Sequence, residues 1–417
     1  MDDVVTIVLG GGRGTRLFPL TLYRSKPAVP IGGSYRLVDV AVSNCIHAGL
    51  RRIFVVTQYQ SESLNRHVAN AYKFDAFSQG AVDILAAEQS EDGGNDWFRG
   101  TADAVRKCMK HLGHQPWNQM AILSGDQLYR MRLGEMLRAH RDAGADVTVA
   151  MKAVPAEQTA AFGIMKTDAS GRVVRFDEKP PRERLAGLES PIPAAPGSGA
   201  PTRGYLASMG IYVFERDALE KALEPQDHMD FGKHVIPSML ERTRVQSYLY
   251  DGYWEDVGTI RSYFDANIAL TTSHSSFSFY HPRCPIFMDR PFLAPTKIHD
   301  SRVADALIAD GGFLHQADVQ SAVIGPRTRI GRGVKIRRSL ILGADFYDAD
   351  PAPSPPLGID EGSVIENAIV DKNARIGRDV RIRDATGRSD HDGGSYYIRD
   401  GIVLIPKNGV IPDGTVI

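Results

Sequence analysis

Cysteine is scarce in this chain: three residues among 417, at positions 45, 108 and 284. So few, odd in number and scattered, they support neither a disulfide framework nor a zinc site. Long apolar runs are also missing; none approaches the roughly 18 residues of a membrane span. The opening MDDVVTIVLGGG lacks the basic segment and cleavage pattern of a secretory leader. The expectation is a cytoplasmic protein with no membrane partner. Nor does one sign of charge prevail: 49 basic residues face 50 acidic ones, for a net charge of −1. That removes the electrostatic case for nucleic acid or an anionic surface. His228, His234 and His281 lack metal-ligand spacing. What remains is ordinary globular composition, 43% hydrophobic and 24% charged, in a chain long enough for two domains.

Against that background the segment VVTIVLGGGRGTRL, residues 4–17, stands out. Its β-branched apolar run reads as a buried strand of a parallel sheet. The strand feeds Gly10, Gly11, Gly12, Arg13 and Gly14, then Thr15 and Arg16. Glycines let backbone N–H groups approach an anion closely, and Arg16 adds a fork of charged donors. This is a phosphate cradle, but not a P-loop, because no glycine is followed by Lys-Ser or Lys-Thr at the required offset. Nor is it the dinucleotide fingerprint, since Leu17 stands where the third glycine would fall. Lys26-Pro27 lies shortly downstream.

Residues 1–272 alternate strands with amphipathic helices. Arg52–Thr57, Val82–Ala86, Met120–Ser124 and Val147–Met151 read as strands; Leu37–Ala48, Glu62–Tyr72, Ala102–Leu112 and Leu133–Ala143 read as helices. In the first helix Val38, Ala41, Val42, Cys45 and Ile46 form an apolar stripe. The alternation predicts an α/β domain with a mainly parallel sheet and ligands bound beyond the carboxyl ends of its strands. Residues 188–203, rich in Pro, Gly, Ser and Ala, read as a surface loop. Residues 273–297 read as a linker. From 298 to 417 aliphatic residues recur every six positions: Ile324, Ile330, Ile336, Leu342; Val364, Val370, Ile376, Ile382; Ile405, Ile411, Ile417. That period predicts a parallel β-helix, interrupted by loops at 345–356 and 383–394.

Asp126, at the end of an apolar strand in LSGDQLY, suits either a Mg²⁺ ligand or a helix N-cap. Asp256, in YWEDVGT, would supply a second carboxylate. Taken in order, GGGRGTRLFPLT, SKPAVPIGG, TQYQSESLNRHV, WFRGTADAV, LSGDQLYRM, FDEKP, GYWEDVGT and YYIRDGIVLIPKN resemble glucose-1-phosphate adenylyltransferases over essentially the whole chain. The likeness is to the plant and cyanobacterial branch of that family. It implies a Rossmann-like nucleotidyltransferase domain followed by a left-handed parallel β-helix. It further implies transfer of an adenylyl group from ATP to α-D-glucose 1-phosphate, with Mg²⁺ as cofactor, in a homotetramer governed by phosphorylated effectors.

Carried over residue by residue, the resemblance implies Arg16, Lys26 and Asp126 as catalytic residues and Asp126 with Asp256 as metal ligands. Lys179 would take the sugar phosphate, with Glu178, Gly163 and Ser208 around the glucose. Gly10, Gly11, Gly12, Gly14 and Thr15 would form the phosphate loop. Gln89, Phe98, Gly100 and Thr101 fall in the region reading the adenine. Regulatory positions by the same comparison are Arg24, Arg36, Gln58, Trp97, Arg381 and Lys407. Tyr23 and Pro30 replace a lysine and a histidine of the enteric branch, which argues against fructose 1,6-bisphosphate as activator and for a phosphorylated carboxylate or inorganic phosphate. Simpler readings stand beside these: Lys179 as a solvated hairpin lysine, Gln58 as a structural amide, Trp97 and Phe98 as packing aromatics, and the basic residues as solvated loop charges. A non-catalytic subunit of the same fold, and a transferase for another base or sugar, are the rival functions. An acyltransferase on the β-helix is disfavoured because the repeats are interrupted and no His has a catalytic setting.

Overall fold

The computed structural model describes residues 3–417 apart from 76, 78–79, 88–96, 113–115, 193–201 and 350–352. Its amino-terminal half is built on a ten-stranded sheet. Four parallel strands form the core, in the order Ala81–Ala86, Arg52–Thr57, Val4–Leu9 and Gln119–Ser124. Val4 and Val8 face one apolar cluster, Val5 and Ile7 the other. Burial on both faces is why this strand reads as an unbroken apolar run rather than an alternating one.

The sheet continues through the 14-residue strand Thr202–Glu215, antiparallel to Gln119–Ser124, to Val147–Val154 and to Gly163–Thr167. Its register slips between Ser208 and Tyr212, where Gly210 takes φ of 67°. The bulge bends the strand, so that its two halves serve different parts of the sheet. The sheet is thus parallel in its core and antiparallel on one side. Strands Ser190–Ile192 and Thr202–Glu215 pair as well, which corrects the reading of 188–203 as loop throughout. Proline at 191 is tolerated there because it pairs with a single neighbour on the sheet margin.

The helices form where the apolar spacing placed them. Helix Leu37–His47 is buried nearly all round, beyond the single stripe expected. The side chain of Asn44 bonds Tyr129 and Met131 on one side, and Ser43 accepts from the Phe287 N–H on the other. The helical stretch expected over 102–112 runs from Thr101 to Cys108 and then tightens into a 3₁₀ turn, Met109–His111. Gly100 precedes it in extended backbone, where a Cβ would meet the Met229 carbonyl oxygen at 2.1 Å. The residue is glycine for closeness of approach, not for its φ. No described helix is long and apolar enough to cross a membrane.

Residues 270–296 run in turns and irregular backbone but are packed down, with Phe279 stacked on Tyr35 at 4.0 Å. The carboxy-terminal half is a parallel β-helix. Leu314, Ile330, Ile359, Ile376 and Ile411 stack through successive coils, as do Val319, Ile336, Ile365 and Ile382. All are buried in one internal cluster. Two positions differ from the six-residue count. Val364 is only half-buried and Ile365 fills the inner position, because this side of the coil steps by five residues, from Ile365 to Val370 as from Ile336 to Ile341, with Asn367 and Arg338 at positive φ between them. Leu342 is buried, but outward, while Ile341 pairs with Val370 in the wall. Val323, Leu340, Leu342, Ile369 and Leu404 join Tyr263 and Phe264 of the first half in one cluster. The two halves therefore share a core.

Candidate active site

The partners Leu9 and Ser124 end neighbouring parallel strands. Gly10–Gly14 and Gly125–Asp126 therefore emerge side by side, tied by Gly125 N–H to the Leu9 carbonyl at 3.1 Å. Gly10 donates to the Val56 carbonyl at 2.8 Å, so the loop is pinned to the strand on its other flank too. Gly14 takes φ of 62° and its carbonyl accepts from Thr21 Oγ1 at 3.0 Å. A side chain at 14 would be strained in backbone and would press on Thr21. Gly12 is the opposite case, with open space where a Cβ would point.

This loop borders a cavity of about 790 Å³. Gly11, Gly12, Arg16, Lys26, Asp126 and Asp256 line its floor. Gly163, Glu178, Lys179 and Ser208 line one wall; Gln58, Trp97, Phe98, Gly100 and Thr101 line the other. Gly10, Gly14 and Thr15 shape the loop from behind. Gln89 lies outside the described residues. Ser208 and Gly210 reach the cavity because of the bulge in the long strand.

Lys26 is the centre of the floor. Its Nζ lies 2.6 Å from Asp126 Oδ2 and 3.6 Å from Asp256 Oδ1, with only 10% of its side chain exposed. Burial works against the ammonium, but Asp126 and then Asp256 outweigh it and raise its pKa above the ordinary 10.5. Burial likewise opposes ionisation of Asp126, yet Lys26 and the Ser124 hydroxyl hold its carboxyl below the usual range. Asp256 goes the other way: burial and the charge of Asp126 exceed the attraction of Lys26 and Arg16, and its pKa rises. Two carboxylates thus converge, one with its pKa lowered beside Lys26 and one with its pKa raised, by burial first and then by the charge of the other. Asp126 is followed by the strand Gln127–Tyr129, and the next helix begins at Leu133 behind Arg132. The N-cap reading of Asp126 falls.

The donor set suits a hard cation. Two aspartates offer oxygen ligands only, and among the described residues no group of three or more His, Cys, Asp or Glu completes a protein cage. Mg²⁺ is the ion that accepts one or two carboxylates and takes its other ligands from water and phosphate.

On the wall that carries Glu178, its Oε2 would lie 2.8 Å from a Cβ on Gly163 and 3.0 Å from one on Gly232, so both glycines make room for that carboxylate. Burial pushes Glu178 up, Lys179 opposes this and Asp230 adds to it. Lys179 holds φ of 48°, with its side chain half exposed and 3.9 Å from Glu178. On the opposite wall Gln58 accepts from Phe98 N–H at 3.0 Å and donates to its carbonyl at 3.5 Å. Thr101 donates to Asp230 at 3.0 Å and accepts from Phe231 N–H, closing the two walls together.

A second basic cluster sits between the halves. Arg24, 3% exposed, bonds both oxygens of Asp371 at 2.9 and 3.0 Å, and its Nη2 is buried with no hydrogen-bond partner. Arg36 is nearby, its side chain bonded to Ser63. Lys407 and Lys372 each hold one oxygen of Asp345, at 2.7 and 2.9 Å. Arg381 belongs elsewhere: it pairs with Val364 and with Thr415 and Ile417, on a different edge of the β-helix. The expectation of one effector site between the domains, with Arg381 beside Arg24, Arg36 and Lys407, is corrected by this pairing. The residue in that place is Lys372, because Ala368, Ile369 and Val370 pair with Val403, Leu404 and Ile405, an offset of 35. A loop of unpredictable length hides that offset from the sequence. Gln58 and Trp97 also lie on the cavity rather than at this cluster.

Residues 5–273 match the nucleotidyl transferase family, and residues 291–416 match the GLGC left-handed parallel beta-helix domain. The two matches together, a nucleotidyl transferase domain followed by this β-helix domain, show that the chain belongs to the glucose-1-phosphate adenylyltransferase family of nucleotidyl transferases.

Proposed function

We propose that the protein transfers the adenylyl group of ATP to α-D-glucose 1-phosphate, releasing pyrophosphate and ADP-glucose for α-glucan synthesis. The observation that carries this reading is the pairing of Lys26 with Asp126 and Asp256 on the floor of one cavity, between a phosphate loop and the Glu178–Lys179 wall. In-line attack by the sugar phosphate on the α-phosphorus needs alignment and neutralised charge more than proton transfer. Lys179 would hold the attacking phosphate, with Glu178, Gly163 and Ser208 around the sugar hydroxyls. Arg16 and Lys26 would neutralise the triphosphate and the departing pyrophosphate. Asp126 and Asp256 would hold Mg²⁺, which supplies charge neutralisation at the reacting phosphates. With no metal bound, Lys26 keeps the two carboxylates compensated. Thr101, Gly100 and Phe98, which line the cavity, would read the base. A subunit that only binds has no use for Arg16, Lys26 and both aspartates, which disfavours the non-catalytic reading. Pyrophosphate release measured with ATP, UTP, GTP and dTTP against glucose 1-phosphate tests the assignment: release with ATP well above the rest is expected, and none with any of them would refute catalysis.

For regulation, the cluster of Arg24, Arg36, Lys372 and Lys407 supports a phosphorylated carboxylate or inorganic phosphate as effector. Basic side chains gathered at a domain boundary suit an anion, and a ligand there would bias how the halves meet. Lys407→Ala and Lys372→Ala are each expected to raise the half-saturating effector concentration about tenfold or more, with turnover in its absence unchanged. Effector titrations that superimpose on wild type would remove both lysines. The strand edges at Lys297–His299 and Arg302–Ile308 end the β-helix unpaired on one side, which fits assembly into a homotetramer. Light scattering that returns a monomer mass would exclude it.

A further inference from the structure

One residue of the phosphate loop is unclaimed by the mechanism above. Arg13 is exposed on the cavity rim, with no hydrogen bond or ion pair to any described residue. Its guanidinium carbon lies 5.0 Å from the centroid of the Tyr59 ring. Tyr59 is in turn stacked on Trp97, centroids 4.7 Å apart and planes within 7°. Arg13, Tyr59 and Trp97 all line the cavity. The platform is held in place, because the Gln58 side chain binds both backbone groups of Phe98 and so joins residues 58–59 to 97–98. The arginine is not held in the same way: Gly12 and Gly14 flank it, one with open space beside it and the other in the left-handed region.

The charges of the loop therefore divide. Lys26 is engaged by Asp126 and Asp256, and Arg16 lies in the field of Asp256. Arg13 alone of these three rests on an uncharged ring. A cation–π contact at an exposed site is weaker than a charge-assisted fork of hydrogen bonds to phosphate oxygens. A polyphosphate entering the loop would outcompete Tyr59 for the guanidinium, whereas a nucleoside or a single distant phosphate would not.

We propose that Arg13 is a polyphosphate-binding residue parked on the Tyr59–Trp97 stack, which it leaves for the triphosphate tail when a nucleoside triphosphate enters. The parking orients a cation that two glycines would otherwise leave to wander. It also couples nucleotide entry to the aromatic pair. The inference rests on the nucleotidyl-transfer reading of the cavity.

The test is nucleotide binding to the full chain with Mg²⁺, by calorimetry and by tryptophan emission. Arg13→Met is expected to weaken ATP about tenfold or more and AMP less than twofold, collapsing the ratio between them; Arg13→Lys should restore part of it. Tyr59→Leu should leave ATP affinity unchanged or tighter, since it removes the competing ring. ATP, but not AMP, should change the emission of the wild type, and Trp97→Phe should remove that change. Equal losses for ATP and AMP in Arg13→Met would overturn the proposal. So would a loss in Tyr59→Leu as large as that in Arg13→Met, which would make the stack a support for the loop. A wild type that binds no nucleoside triphosphate would defeat the reading of the cavity itself, and a wild type that binds ATP with an unaltered ATP/AMP ratio in Arg13→Met would defeat only the role of Arg13.

Discussion

Asp126→Asn is expected to lower kcat by about 10³-fold or more, equivalent to about 4 kcal/mol in the transition state, while the protein melts within a few degrees of wild type. The change preserves volume and leaves an oxygen for the Ser124 hydroxyl to meet. It removes the carboxylate nearest Lys26, at 2.6 Å, and leaves only Asp256 at 3.6 Å to balance that ammonium. Two effects then act in the same direction. A cation held there would lose the carboxylate whose pKa is lowered and keep the one whose pKa is raised. Lys26, released from its closest partner, is no longer fixed where the triphosphate must find it. Circular dichroism and a thermal melt establish that the variant is folded; steady-state turnover across a Mg²⁺ titration reads the effect. Turnover near that of wild type at any Mg²⁺ concentration would take Asp126 out of the mechanism.

Lys179→Ala is expected to raise KM for glucose 1-phosphate about 100-fold or more and to leave KM for ATP within about twofold. The charge sits across the cavity from Phe98, Gly100 and Thr101, beside Glu178, and its side chain is half exposed with no partner at hydrogen-bond distance among the described residues. Its backbone makes a second variant informative. Lys179 carries φ of 48°, a conformation that disfavours any side chain, so alanine keeps the strain while glycine relieves it by about 1 kcal/mol. Lys179→Gly should therefore melt higher than Lys179→Ala and yet show the same loss of sugar-phosphate affinity. If KM for both substrates rises equally in the two variants, Lys179 serves the triphosphate. If the glycine variant recovers KM, the position acts through backbone shape and not through its charge.

Several features were legible before any coordinates because each rests on local physics. Val4–Leu9 followed by glycines is a strand that must end in a tight turn, and the six-residue recurrence of Ile and Val is the geometry of a β-helix corner. The period failed on one side of each coil. Val364 and Leu342 lie one residue from the inner positions held by Ile365 and Ile341, since that side steps by five residues, from Ile336 to Ile341 and from Ile365 to Val370, with Arg338 and Asn367 at positive φ in between. Arg381, carried over from the resemblance, lies on another edge of the β-helix, and Lys372 was missed because its tie to Lys407 through Asp345 spans coils separated by a loop. Gln58 read as an isolated polar residue because its partner Phe98 is 40 positions away. Arg13 read as one more basic residue in the loop because the ring beneath it belongs to another segment.

The sequence by itself determined the elements whose causes lie within a few residues. These are the glycine turn after a doubly buried strand, the amphipathic helices, the coil-by-coil β-helix, and an order of motifs that carries the family resemblance. Only the tertiary structure decided which charges meet. Asp256 comes to Lys26 across 230 positions of chain, Asp371 to Arg24 across 347, and Glu178 finds room only because Gly163 and Gly232 converge on it. A contact between distant segments depends on strand register, on the bulge at Gly210 and on loop length together, and none of these leaves a periodic trace. Electrostatics falls as the inverse of distance in space and is indifferent to distance along the chain, so the pairing of Lys26 with two unequal aspartates had to wait for the fold.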